Sequence, residues 1–115
     1  MVALYRLRWI RVLSGDRSLA PRPSLWFVYV ARCADNTLYT GIAIDVAARL
    51  TQHNAGKGAR YTRGRGPLTL CAQRRCDSKG EALRLEFAIK RLRQADKEAL
   101  LRPRRLAAFA RALTA

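Results

Sequence analysis

Hydrophobic positions crowd into two short blocks, Trp26–Cys33 and Leu38–Ile42, both rich in aromatic and β-branched residues. The intervening Ala34–Asp35–Asn36–Thr37 is polar and turn-forming, so the two blocks read as the strands of a hairpin. Asp45 is suited to cap a helix running to about Asn54, with Val46 and Leu50 on its buried stripe. Gly56–Lys57–Gly58 ends that helix, and the loop on to Pro67 is basic and glycine-rich. Leu68–Arg75 alternates sufficiently for a third strand. Ser78 followed three residues later by Glu81 is the signature of a capped helix start, and Ala82, Leu85, Ile89 and Leu92 supply that helix's apolar stripe. A further helix is expected over Gln94–Leu101 and a short basic one over Arg104–Leu113, after Pro103. The order β-β-α-β-α-α, with no internal repeat, predicts a small α+β layer fold.

Upstream of this pattern, residues 1–24 read as a basic N-terminal extension. Pro21 and Pro23 interrupt regular structure, Ser14–Gly15–Asp16 reads as a turn, and Leu4, Leu7, Ile10 and Leu13 could form one stripe of a short helix. The organisation expected is therefore an extension over 1–24, disordered or briefly helical, a folded domain over 25–102 and a basic helix or tail over 103–115. A chain of 115 residues, half of them hydrophobic, suffices for one domain with a real core.

Charge narrows the partner class. With 23 Lys and Arg against 8 Asp and Glu, the net charge is +15. This predicts a polyanionic partner, nucleic acid foremost, because clustered cations release counterions from phosphates; a solvated basic surface without a target is the plainer alternative. No apolar run approaches the ~18 residues of a membrane span, and the arginines within Met1–Ile10 argue against a signal peptide. A cytoplasmic location is the default expectation. Three cysteines, odd in number and irregularly spaced, do not make a disulfide framework, and one histidine does not make a zinc site.

A handful of polar residues stand out. Arg49 and His53 lie four apart on the first helix and share a face, with Val46 and Leu50 expected to turn elsewhere. A guanidinium there could stabilise the charge of a phosphodiester transition state; a solvated basic face is the bland reading. Glu86 borders its helix's apolar stripe. It reads either as an ordinary i,i+4 partner of Lys90 or as a carboxylate for a single ion such as Mg²⁺, which completes its shell with water and substrate phosphates. Tyr29 and Tyr39 are strand aromatics by default. To activate water, a phenol of ordinary pKa about 10 needs Arg49 or a metal nearby to lower it. Gly41 after the second strand permits close backbone approach. The basic loop offers Lys57, Arg60, Arg63 and Arg65 for phosphate and Tyr61 for base stacking, with a solvated turn as the alternative.

Taken in order, these residues resemble the GIY-YIG nuclease superfamily, and more closely its small stand-alone bacterial members. Phe27–Val28–Tyr29 stands at the first motif and Leu38–Tyr39–Thr40–Gly41 at the second. Arg49, Gln52–His53–Asn54, Gly56–Lys57–Gly58–Ala59, and Glu86 with Lys90 then follow. The resemblance runs from about Trp26 to Leu101. It implies a three-stranded antiparallel sheet flanked by helices, and hydrolysis of DNA phosphodiester bonds by water with one Mg²⁺ or Mn²⁺, leaving 5′-phosphate and 3′-hydroxyl ends. It further implies that Glu86 holds the ion, Arg49 stabilises the transition state, Tyr29 is the general base, Tyr39 orients water or phosphate, and His53 supports them. Both motifs depart from the family pattern, Phe-Val-Tyr replacing Gly-Ile-Tyr and Tyr-Thr-Gly replacing Tyr-Ile-Gly. The alternative expectation is thus a DNA- or RNA-binding module on the same fold with weak or no catalysis, and in either case a protein partner could supply specificity.

Overall fold

The computed structural model describes residues 25–114; the extension expected over 1–24 lies outside the described residues. Strand β1 spans Trp26–Arg32 and β2 spans Leu38–Ala43. The turn between them uses its polar residues directly. Asn36 takes a positive φ of 70°, a conformation that asparagine tolerates better than most residues, and the Asp35 carboxylate accepts from the Thr37 amide at 3.2 Å and its hydroxyl at 2.6 Å.

Strand β3, Thr69–Cys76, completes a sheet ordered β2-β1-β3, with both pairings antiparallel. The central β1 is covered on both faces, so its sequence is a nearly unbroken apolar run instead of an alternation. Val28 and Val30 face one layer of core with Cys76; Tyr29 and Ala31 face the other with Ala43. A register shift between Val30 and Ala31 breaks the alternation of β3: Val30 pairs with Ala72, whereas Ala31 pairs with Leu70.

Helix α1, Val46–Asn54, follows β2 and starts as expected, the Asp45 carboxylate accepting from the Ala48 amide at 3.0 Å. It covers the Tyr29 face, packing Val46 and Leu50 with Leu68 and Cys33. A 3₁₀ turn at Arg60–Thr62 interrupts the loop that leads to β3.

Helix α2, Lys79–Lys90, covers the opposite face. At its start the Ser78 hydroxyl accepts from the Glu81 amide at 3.1 Å, while the Glu81 carboxylate reaches back to the Asp77 amide at 3.2 Å. Ala82, Leu85 and Ile89 are fully enclosed there. Helix α3, Gln94–Ala99, is tied to the end of β1 by a two-pronged ion pair, Arg32 to Glu98 at 2.6 and 3.0 Å. Helix α4, Pro103–Thr114, is no loose tail. Its Leu106 and Ala110 join the core beside Leu85 and Ile89. Of the cysteines, Cys33 and Cys76 are buried and Cys71 is partly so; all three are free thiols.

Candidate active site

The tyrosines of the first two strands meet because of sheet register. Tyr29 pairs with Gly41 and Ala31 with Tyr39, which puts both phenols on the α1 side, their ring centroids 6.2 Å apart. Gly41 is required by sterics. A Cβ there would lie 2.6 Å from the Tyr29 hydroxyl and 3.0 Å from the Tyr39 ring. The close approach expected of Gly41 is therefore made by the two catalytic-candidate rings.

The placement of His53 corrects the expectation of a basic helix face. Its ring is 1% exposed and sits on the same stripe as Val46 and Leu50. Positions 46, 50 and 53 have the i, i+4, i+7 spacing of one helix face, so the histidine continues the buried stripe and only Arg49 flanks it. Nε2 of His53 is 2.9 Å from the Tyr29 hydroxyl and Nδ1 is 2.7 Å from the Thr62 hydroxyl. The Tyr39 ring lies against it, 5.0 Å between centroids. Gly58 seals the other side, since a Cβ there would fall 2.0 Å from Nδ1.

Burial dominates the protonation of this cluster. It raises the Tyr29 pKa well above the ordinary value of 10.0, aided by the neighbouring Tyr39 and opposed by Arg49. It raises Tyr39 as well, and there too Arg49 opposes it. The expectation that Arg49 lowers a tyrosine pKa is thus corrected for the protein alone: the cation acts in that direction, but desolvation outweighs it. Burial, with the nearby Arg49 charge, lowers the His53 pKa below 6.5. At neutral pH the site holds a protonated phenol and a neutral imidazole.

Arg49 and Glu86 approach the pair from different helices. Arg49 donates to the Gln52 side chain at 2.9 Å, and its charge reaches Tyr29, Tyr39 and His53. Glu86 on α2 is mostly shielded, bears electrostatically on both tyrosines, and pairs with Lys90 at 3.5 Å. The five candidates Tyr29, Tyr39, Arg49, His53 and Glu86 are therefore neighbours, although they come from four elements. Among the described residues no three His, Cys, Asp or Glu side chains cluster to form a preassembled metal cage. Glu86 fits only an ion that takes one protein carboxylate and finds its other ligands elsewhere.

The residues proposed to contact nucleic acid divide. Tyr61 is exposed and stacks on Tyr39, with centroids 6.0 Å apart and rings 24° from parallel. Tyr61, Tyr39 and Lys90 line an open groove of about 270 Å³, together with Leu38, Thr40 and Lys97. Lys57, Arg60 and Arg63 are exposed on the loop. Arg65 is engaged within the fold: its guanidinium lies 4.3 Å from the centre of the Tyr61 ring and pairs with Asp35 across the hairpin turn. Thr62 and Lys97 were not among the residues singled out from sequence. Thr62 meets His53 through an irregular loop, for which sequence spacing carries no signal. His53 itself could have been assigned to the buried stripe from its period.

Residues 25–99 match the GIY-YIG catalytic domain, and the chain belongs to the GIY-YIG family, a superfamily of nucleases. Within it the chain is similar to small proteins designated UPF0213. One from Vibrio cholerae is 51% identical over 85 residues, covering 73% of this chain and 84% of the relative. Another, from Halobacterium salinarum, is 56% identical over 73 residues, covering 64% of this chain and 95% of the relative. A solution NMR structure of a UPF0213 protein from Bacillus halodurans is 45% identical, covers 67% of this chain and 82% of its own, and superposes with a TM-score of 0.45.

Proposed function

We propose that the protein is a divalent-metal-dependent endonuclease that hydrolyses DNA phosphodiester bonds with water as nucleophile, acting on branched, damaged or single-stranded structures in DNA processing. The observation that carries this reading is the buried Tyr29–His53 hydrogen bond, 2.9 Å long, beside the Arg49 cation and the Glu86 carboxylate. A neutral imidazole behind a protonated phenol is a ready acceptor. The phenol can take a proton from water as it hands its own to His53, so no free phenolate is required. Arg49 supplies positive charge where negative charge develops on the phosphoryl oxygens. Tyr39 borders the groove and positions water or a phosphate oxygen. Tyr61 gives an unpaired base a face to stack on, while Lys57, Arg60, Arg63, Lys90 and Lys97 hold the phosphates that flank the cut.

Glu86 would hold one Mg²⁺ or Mn²⁺ ion. Bound there, the ion supplies Lewis-acid polarisation of the phosphoryl group. With one protein carboxylate, metal affinity in the free protein is expected to be weak and to rise when substrate phosphates complete the shell.

The test is cleavage of labelled single-stranded, duplex and branched DNA with Mg²⁺, Mn²⁺ or EDTA, with Glu86→Ala and Arg49→Ala alongside. Metal-dependent products bearing 5′-phosphates, lost in both variants, are expected. Salt-sensitive binding without product in any metal would overturn the catalytic reading in favour of a binding module. Glu86→Ala cutting as well as wild type would remove Glu86 from the metal role.

A further inference from the structure

We propose that Thr62 is a positioning residue that holds His53 in the tautomer protonated on Nδ1, so that Nε2 is the acceptor for the Tyr29 phenol proton. The inference rests on the nuclease reading for its catalytic consequence, but the tautomer follows from the hydrogen bonds alone. The Thr62 hydroxyl oxygen lies 2.8 Å from the Ala59 carbonyl oxygen. Two oxygens at that distance need a proton between them, and a carbonyl has none to give, so Thr62 donates to Ala59. Its remaining lone pairs then face Nδ1 of His53 at 2.7 Å, and this contact requires an N–H on that nitrogen. A neutral ring protonated on Nδ1 carries its lone pair on Nε2, 2.9 Å from the Tyr29 hydroxyl. The chain therefore runs in one direction: Tyr29 O–H to Nε2, Nδ1–H to Thr62, Thr62 O–H to the Ala59 carbonyl.

The ring has little freedom to reverse this. Thr62 and His53 are each 1% exposed, and Gly58 packs so closely that a Cβ there would fall 2.0 Å from Nδ1. The groups facing the imidazole are Tyr29 from β1, Tyr39 from β2, Arg49 from its own helix and Thr62 from the loop. None of them is a carboxylic acid, and the Tyr29 phenol gives up its proton to Nε2 only as it takes one from water, so the resting ring is neutral.

In the reaction, the O–H bond of the attacking water breaks, and its electron pair forms the new bond to phosphorus. The released proton goes to the Tyr29 oxygen, while the phenol's own proton passes to Nε2. The bond from phosphorus to the 3′-oxygen breaks, and that oxygen takes a proton from solvent. His53 is left as an imidazolium whose Nδ1–H is still accepted by Thr62. With the opposite tautomer, Nε2 would carry a proton already and could accept none.

His53 is the single histidine of the chain, so its ring gives one set of signals in a ¹⁵N-histidine NMR spectrum of the full-length protein. The wild type is expected to show the Nδ1–H tautomer above the histidine pKa, and Thr62→Ser to keep it. Thr62→Val, which lacks the accepting oxygen, is expected to shift the ring toward Nε2–H. It should also lower the single-turnover cleavage rate about 10-fold or more with little change in DNA binding, a fraction of the effect typical of losing a general base. An Nε2–H ring in the wild type would overturn the proposal, and this readout stands even if Thr62→Val does not fold. So would a folded Thr62→Val protein with the wild-type tautomer and rate. Absence of cleavage by every protein, wild type included, would refute the nuclease reading and with it the catalytic role of Thr62, while the spectrum separately decides the tautomer.

Discussion

His53 can accept a proton only when neutral, and burial with the Arg49 charge keeps its pKa below 6.5. The acid limb of kcat/KM for DNA cleavage is therefore expected below pH 6.5, and a pH–rate profile with its acid limb above that value would contradict the assignment. The sign for stability follows the same shift. The unfolded chain binds the proton more readily, so stability from the buried neutral ring is present above pH 6.5 and is lost as pH falls through the folded-state value. Packing gives a second test. Gly58→Ala forces a methyl against Nδ1, at a distance of 2.0 Å before relaxation, and is expected to cost about 1–3 kcal/mol in urea unfolding. An unchanged midpoint would show that the loop gives way freely. At this scale the two tyrosines were legible because strand side chains alternate strictly, which put Tyr29 and Tyr39 on one face once the pairing register was set. The raised phenol pKa values were not legible, because they depend on layers of α1 and loop that close over the rings.

The elements hold the site through their ends. The Ser78 hydroxyl caps α2, the helix that delivers Glu86, and Ser78→Ala is expected to cost about 1 kcal/mol in equilibrium unfolding. A loss within error of zero would mean that Glu81 and solvent satisfy the helix start unaided. That cap and the Asp45 cap of α1 were both readable, since each depends on one side chain and an amide three residues away. The loop between α1 and β3 was readable only as basic and glycine-rich. Its real organisation depends on remote partners: Asn54 accepting from the Leu68 amide at 2.7 Å, Thr62 on His53, and Arg65 on Asp35 and Tyr61. The same loop thus carries exposed Arg60 and Arg63 on its outside and the histidine clamp on its inside. Replacing either arginine by alanine is expected to weaken binding evenly across DNA sequences and to reduce the slope of log K against log salt by about 1. Titrations at several salt concentrations measure it, and an unchanged slope would place that arginine away from phosphate.

At the scale of the whole molecule, one sheet separates two tasks. Its α2 and α4 side is apolar and fastens the fold, whereas its α1 side encloses the polar pair Tyr29–His53 next to an open groove. No helix among the described residues is long and apolar enough to cross a membrane, and the net charge of +15 suits a phosphate-bearing partner. The layer order was legible because each element announces its period and its ends; the joining of Glu86 to the tyrosines was not, since it depends on how α2 crosses the sheet. The central claim is that this enclosed pair moves the proton of the attacking water, and Tyr29→Phe tests it most directly because it removes one oxygen and keeps the packing. Single-turnover cleavage of labelled branched DNA in Mg²⁺ is expected to fall by roughly 100-fold or more while binding is retained. Cleavage by Tyr29→Phe at the wild-type rate would contradict the account.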